Sequence, residues 1–201
     1  MHLKRYIAIP ACCAVLALPL AAFAQSNSNP NSATAPAVAS APASIAPADS
    51  LSALAGQMQK EVIGAADAMP ADKYDFAPTG PGDFKGVRTF GGQVRHLAQA
   101  NYEFFRGWGI AGEVDPKTLE SLKTKDELMK ALRDSYAFQQ AAIQSITPEN
   151  AFTAVSGFPP QYKLTRASAA TLALAHSMDH YGQMVEYLRM NGIIPPASRK
   201  Q

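Results

Sequence analysis

The stretch Thr165–Asn191, TRASAATLALAHSMDHYGQMVEYLRMN, decides the fold. It reads as one long helix, stopped by Gly192 and then by Pro195-Pro196. At about 100° per residue, His176 and His180 fall together with Ala169, Ala173, Gln183 and Tyr187. Leu174, Met178, Tyr181, Val185 and Leu188 make a second apolar sector, and Asp179, Gly182, Glu186 and Arg189 the only polar stripe. A helix buried on two sides needs more than one neighbour, and its histidines face inward or into a groove.

Three further helical segments supply those neighbours. The first is read from about Ser50 to Met69, with Leu51, Leu54, Met58, Val62 and Ala66 at helical spacing and Pro70 behind them. The second starts at Thr89, an N-cap, and runs to about Trp108, where Gly107, Gly109 and Gly112 break the pattern. The third opens on a capping box, Thr124 with Glu127, buries Leu128, Leu132, Ile143 and Ile146, and closes at Thr147-Pro148. No alternating strand pattern is present, and Phe152 to Tyr162 reads as a loop or one short strand. The fold class is therefore all-α, a four-helix bundle with long crossover connections. The long connections are Ala71–Arg88 and Pro148–Leu164, expected to roof one end of the bundle.

Upstream, Lys4 and Arg5 precede an apolar run from about Tyr6 to Leu20, and Ala22-Phe23-Ala24 supplies a small-x-small cleavage pattern. Residues 1–24 are read as a signal peptide cut after Ala24, with an uncleaved anchor as the alternative; the mature protein is expected to be periplasmic or secreted, with no stable membrane span after cleavage. Residues 25–48, rich in Ser, Asn, Ala and Pro, read as a flexible linker. Residues 49–196 form the bundle and residues 197–201 a tail.

Both cysteines, Cys12 and Cys13, lie in the signal, so the mature chain has no disulfide and no thiol nucleophile. Removing Lys4 and Arg5 from 18 basic residues leaves 16 against 16 acidic ones, a neutral mature chain. With no basic stripe, nucleic acid is not expected as a partner.

Chemistry concentrates in three histidines. His176 and His180, four apart, present both imidazoles to one point, and His96 stands on the second helix, where Phe90, Val94, Leu97, Phe104 and Trp108 form the apolar face. His96 falls at that face's boundary with Arg88, Arg95, Gln99 and Arg106, between the small Gly92 and Ala100. Three imidazoles would make a metal site with open coordination positions, the catalytic pattern. The bland alternative is three surface or satisfied core histidines, and spacing alone does not choose. Ser177 stands where a zincin would carry Glu, which disfavours a metalloprotease. Asp179 lies some 60° around the helix from His176, placing it behind the ligands or in solvent. Glu103, two turns or about 10 Å from His96, suits the mouth of a pocket, and Gln183 shares the histidine face.

Three stretches now carry a resemblance. VRTFGGQVRHLAQAN (87–101), HSMDHYGQ (176–183) and the lead-in YDFAPT (74–79) resemble, in this order and spacing, the motifs of the DinB-like family. The family is distinct from the polymerase that shares its name. The resemblance implies a four-helix bundle and a divalent metal held by His96, His176 and His180. Zinc or nickel is expected first, and imidazole ligands also admit iron, manganese or copper. Characterised relatives include thiol-dependent transferases and isomerases, so a small-molecule substrate and a homodimer are the partners implied. An export signal departs from the usual member and puts a cytosolic thiol in doubt. Two readings stay open: a metal-dependent hydrolase or thiol-dependent transferase, and a non-catalytic metal-binding bundle.

Overall fold

A computed structural model describes residues 43–82, 84–156 and 160–200. The signal peptide and most of the linker read from the sequence lie outside these residues. The described chain folds into four long helices: α1 (Pro47–Ala68), α2 (Phe90–Phe104), α3 (Lys125–Gln144) and α4 (Arg166–Met190). Among the described residues the only β pairing is one isolated bridge, Ala154 with Thr165. No helix among them is long and apolar enough to cross a membrane.

Local chemistry sets the helix ends. Pro47 occupies the first turn of α1, where its missing N–H costs nothing, so the helix starts three residues before Ser50 and takes in the end of the predicted linker. Thr89 accepts from Gly92 N and caps α2. The Thr124–Glu127 capping box opens α3, and a second one, Thr165 with Ser168, opens α4. Gly192 at φ +73° closes α4, with Ile193 N donating to Leu188 O and Gly192 N to Arg189 O. Helix α2 stops at Phe104 and not at Trp108. Gly107 takes a positive φ, which turns the chain before Trp108 can join the helix, and Gly109 and Gly112 take positive φ beyond it. The Trp108 ring is nevertheless buried, stacked edge-on against Phe105 and under the Arg166 guanidinium.

Cross-helix pairs fix the directions. Tyr181 reaches Glu61 and Lys73 reaches Asn191, so α1 and α4 run parallel. Asn101 reaches Ser135 and Tyr102 packs on Phe138, so α2 and α3 are also parallel. Gln144 to Ser52 and Gln183 to Gln93 show that these two pairs oppose each other. This arrangement corrects the expected roof. The 71–88 and 148–164 connections lie at opposite ends, since Gly91 N bonds Tyr74 O at one and Ala167 N bonds Ala151 O at the other. The crossing segment is 105–124: Gln99 donates to Pro116 O and Arg95 to Leu122 O as it runs back along α2.

The core is one cluster drawn from all four helices, with Val62, Phe90, Val94, Leu97, Leu132, Tyr136, Ile143, Met184 and Leu188 buried in it. Two expected core positions are not there. Leu54 is 52% exposed because α1 turns Ala55 inward, and Met178 is 48% exposed because α4 buries Ser177 and Met184 instead. Beyond α4 the chain returns to α1, where Pro196, the last residue of the expected bundle, packs over Gly64.

Candidate metal centre

Antiparallel α2 and α4 bring His96 opposite His176 and His180. The three rings stand edge to face, with centroids 4.4 Å (His176–His180), 4.7 Å (His96–His180) and 5.1 Å (His96–His176) apart. One nitrogen from each lies within 4.8 Å of the other two. His180 is the innermost at 4% exposure, while His96 and His176 are half-buried.

Burial disfavours the charged imidazolium, and it is the main cause by which all three histidines titrate low. His96 is pushed down to about 4, helped by Arg88 and by its two neighbours. His180 is also held near 4, with His176 adding to burial and Asp179 opposing it. Three neutral imidazoles at neutral pH are the protonation state that ligates a cation.

The hydrogen bonds test whether these residues fit one. His176 Nε2 is buried and has no partner, an arrangement that costs about 1–3 kcal/mol unless something occupies the lone pair or proton. The other such atom among the described residues, Gln139 Oε1, belongs to a separate core cluster with Asn101 and Ser135. His180 Nδ1 lies 2.7 Å from Gln93 Oε1, leaving Nε2 as its second nitrogen. An orphaned imidazole nitrogen, neutral rings and convergent spacing fit a divalent cation held by His96, His176 and His180. No carboxylate belongs to that group.

Beside the triad lies a cavity of about 300 Å³. His96 and His176 form its floor, Ala100, Phe104 and Pro116 its apolar walls, and Gln99 and Glu103 its polar edge. Glu103 is ion-paired with Arg106 on the outer side. Gly92, on the other side of His96, leaves less room than its size implies, because the Arg88 side chain and Thr89 Oγ1 crowd the position of its missing Cβ. Asp179 and Gln183 stay off the cavity: Gln183 Nε2 donates to the Asp179 carboxylate, and its Oε1 accepts from Gln93. Tyr187 donates to Arg88 O and fixes the start of α2.

Sequence reasoning missed Gln93 and Pro116. Gln93 sits three residues before His96 on the buried side of α2, where the fold leaves it 2% exposed and in need of a partner; nothing local in the sequence marks it. Pro116 comes from the crossover, whose path no local pattern marks.

Fold and site together define a four-helix bundle with a three-histidine centre open on one side. A family model for the DinB superfamily matches residues 55–184, and the chain belongs to that superfamily. No curated protein matches it.

Proposed function

We propose that the protein is an exported metal-dependent enzyme that acts on a small molecule, as a hydrolase or a transferase using an external thiol. The observation that carries this reading is the buried, unpartnered His176 Nε2 beside a cavity that His96 also lines. Imidazole donors suit zinc, nickel, iron and copper alike, and zinc or nickel is the metal we favour among them. When bound, a divalent cation there supplies Lewis acidity and lowers the pKa of the water or thiol it takes up.

The chain's own residues set the rest. His96, His176 and His180 would hold the cation. Ala100, Phe104 and Pro116 keep water from an apolar substrate body of a size that a cavity of about 300 Å³ admits. Glu103, at the edge of that cavity, is placed to accept a proton or orient a donor group of the substrate. The mature chain carries no cysteine, so a thiol enters only as a second substrate.

One observation favours a second reading, a metal-binding bundle without turnover. Apart from the imidazoles, Glu103 is the only titratable group among the described residues that line the cavity, and Arg106 already engages it. Metal analysis of untagged protein beside His176→Ala/His180→Ala separates the readings. Wild type should carry a near-stoichiometric metal that the double variant lacks; equal content in both sinks the site. If metal is held but a panel of hydrolase and thiol-transfer substrates stays silent, the binding reading stands instead.

Export by a signal ending at Ala24, and a periplasmic or secreted location, belong to the same proposal. N-terminal sequencing of the exported protein should begin at Gln25, and a start at Met1 overturns that part. Gel filtration tests the homodimer, and no nucleic-acid partner is proposed.

A further inference from the structure

A chain of side-chain amides links the surface to the innermost histidine. Gln183 Nε2 donates to Asp179 Oδ2 at 3.1 Å, Gln93 Nε2 donates to Gln183 Oε1 at 2.8 Å, and Gln93 Oε1 stands 2.7 Å from His180 Nδ1. A carboxylate only accepts hydrogen bonds, while each amide has one donating and one accepting end. Asp179 therefore makes Gln183 present its nitrogen, which turns the Gln183 oxygen toward Gln93. Gln93 must answer with its nitrogen, and its oxygen then faces His180. The direction of every bond follows from the acceptor-only group at the far end.

We infer that Asp179, Gln183 and Gln93 act as a positioning relay that holds His180 as the Nδ1–H tautomer, so that Nε2 keeps its lone pair for the metal. The inference rests on the reading of the triad as a metal site, adds Gln93 to the residues picked out by spacing, and gives Asp179 and Gln183 a specific role. An imidazole in the opposite tautomer carries a proton on Nε2 and cannot ligate through it. His180 is 4% exposed and Gln93 2%, so water has little access to substitute for either partner. The arrangement also joins the two helices of the site. Gln93 comes from α2 and the other three residues from α4, so the relay holds His180 in register with His96.

Three variants test it, read in metal-free protein by the nitrogen chemical shifts of ¹⁵N-labelled histidine and, separately, by Zn²⁺ affinity. Wild-type His180 should show a protonated Nδ1 and a bare Nε2 near neutral pH. Gln93→Met removes the acceptor; it should shift His180 toward the Nε2–H form and weaken Zn²⁺ binding about 10- to 100-fold. Gln93→Glu restores an acceptor and should recover the wild-type tautomer. Asp179→Asn, a surface change that leaves the core intact, frees Gln183 to turn over and should shift the tautomer in the same direction as Gln93→Met.

An Nε2–H tautomer in wild type, or an unchanged tautomer in Gln93→Met with a native melting transition, overturns the inference. An unchanged tautomer in Asp179→Asn removes the carboxylate from the relay and overturns it as stated. The tautomer is read without metal, so failure of wild type to bind Zn²⁺ counts against the metal reading alone.

Discussion

His96 and His176 meet edge to face with ring centroids 5.1 Å apart, and both line the same cavity, while His180 lies behind them, almost fully buried. The triad thus has an outer face made by two imidazoles and an inner anchor tied to Gln93. Were a cation held there, ligand exchange would be expected at the outer face, beside the cavity. Stability and ligand binding compete most directly there, because His176 leaves a buried nitrogen unpaired.

That unpaired nitrogen yields a first prediction. Replacing His176 with Leu removes the orphaned atom and fills the same space with carbon, so the metal-free variant should be at least as stable as metal-free wild type. A gain of 1 kcal/mol would raise the midpoint by about 2–4 °C in a domain of this size. The same variant should lose the stabilisation that excess Zn²⁺ gives wild type. Thermal melts with and without metal read both effects; a metal-free variant that melts well below wild type would show that His176 contributes to packing and not to ligation.

The low-titrating histidines give a pH dependence whose sign is fixed. His96 and His180 titrate near 4 in the fold, against an ordinary value of 6.5 in the unfolded chain. As pH falls below about 6.5 the unfolded chain takes up protons that the fold refuses. The histidine contribution to metal-free stability is therefore complete above that pH, declines between about 6.5 and 4, and is exhausted below. Urea unfolding of wild type and of a variant with His96 and His180 both replaced by Gln should converge above neutrality in pH dependence and diverge in this window. Parallel curves throughout would remove the histidines as the cause.

Two glycines should respond in opposite ways to alanine. Gly182 lies on the exposed side of α4 with nothing near its missing Cβ, so Gly182→Ala should stabilise by about 0.5–1 kcal/mol through helix propensity. A Cβ on Gly91 would stand 3.1 Å from Tyr74 Cδ1, 3.2 Å from Tyr74 O and 3.3 Å from Leu128 Cδ1. The Tyr74 carbonyl cannot retreat without losing its 2.7 Å bond from Gly91 N, so Gly91→Ala should destabilise by about 1–3 kcal/mol. Denaturant midpoints measure both changes, and equal shifts would contradict the close approach at Gly91.

What the sequence revealed and what it hid divide along physical lines. Thr124 with Glu127, Thr89 and Gly192 were legible because a cap or a stop is written within four residues of the helix end. Leu54 was misplaced because Leu54 and Ala55 are one step apart on the helix, and the neighbouring helices decide which faces inward. The end of α2 was read four residues late for a similar reason: glycine marks a break only approximately, and the positive φ at Gly107 decides it. The crossover was invisible, since segment 105–124 has no periodicity and its course is set by contacts with α2 through Gln99 and Arg95. In the site, histidine spacing exposed the triad, whereas Gln93 looks like any polar helix residue until His180, 87 positions later, is folded against it.

The cavity gives the last prediction, which separates metal holding from ligand access. Ala100 lines the cavity but does not belong to the triad, and one turn of α2 separates it from His96. Ala100→Leu should fill part of the 300 Å³ and leave the three imidazoles in place. Co²⁺-loaded wild type and variant should then show the same visible spectrum, reporting an unchanged ligand set. Added imidazole, a small probe that competes for open metal positions, should perturb the wild-type spectrum at about tenfold lower concentration than the variant's, a difference of about 1.4 kcal/mol. Equal sensitivity would place the open positions away from the His96–His176 face, and the substrate would have to be sought on the side of Arg88 and Gly92.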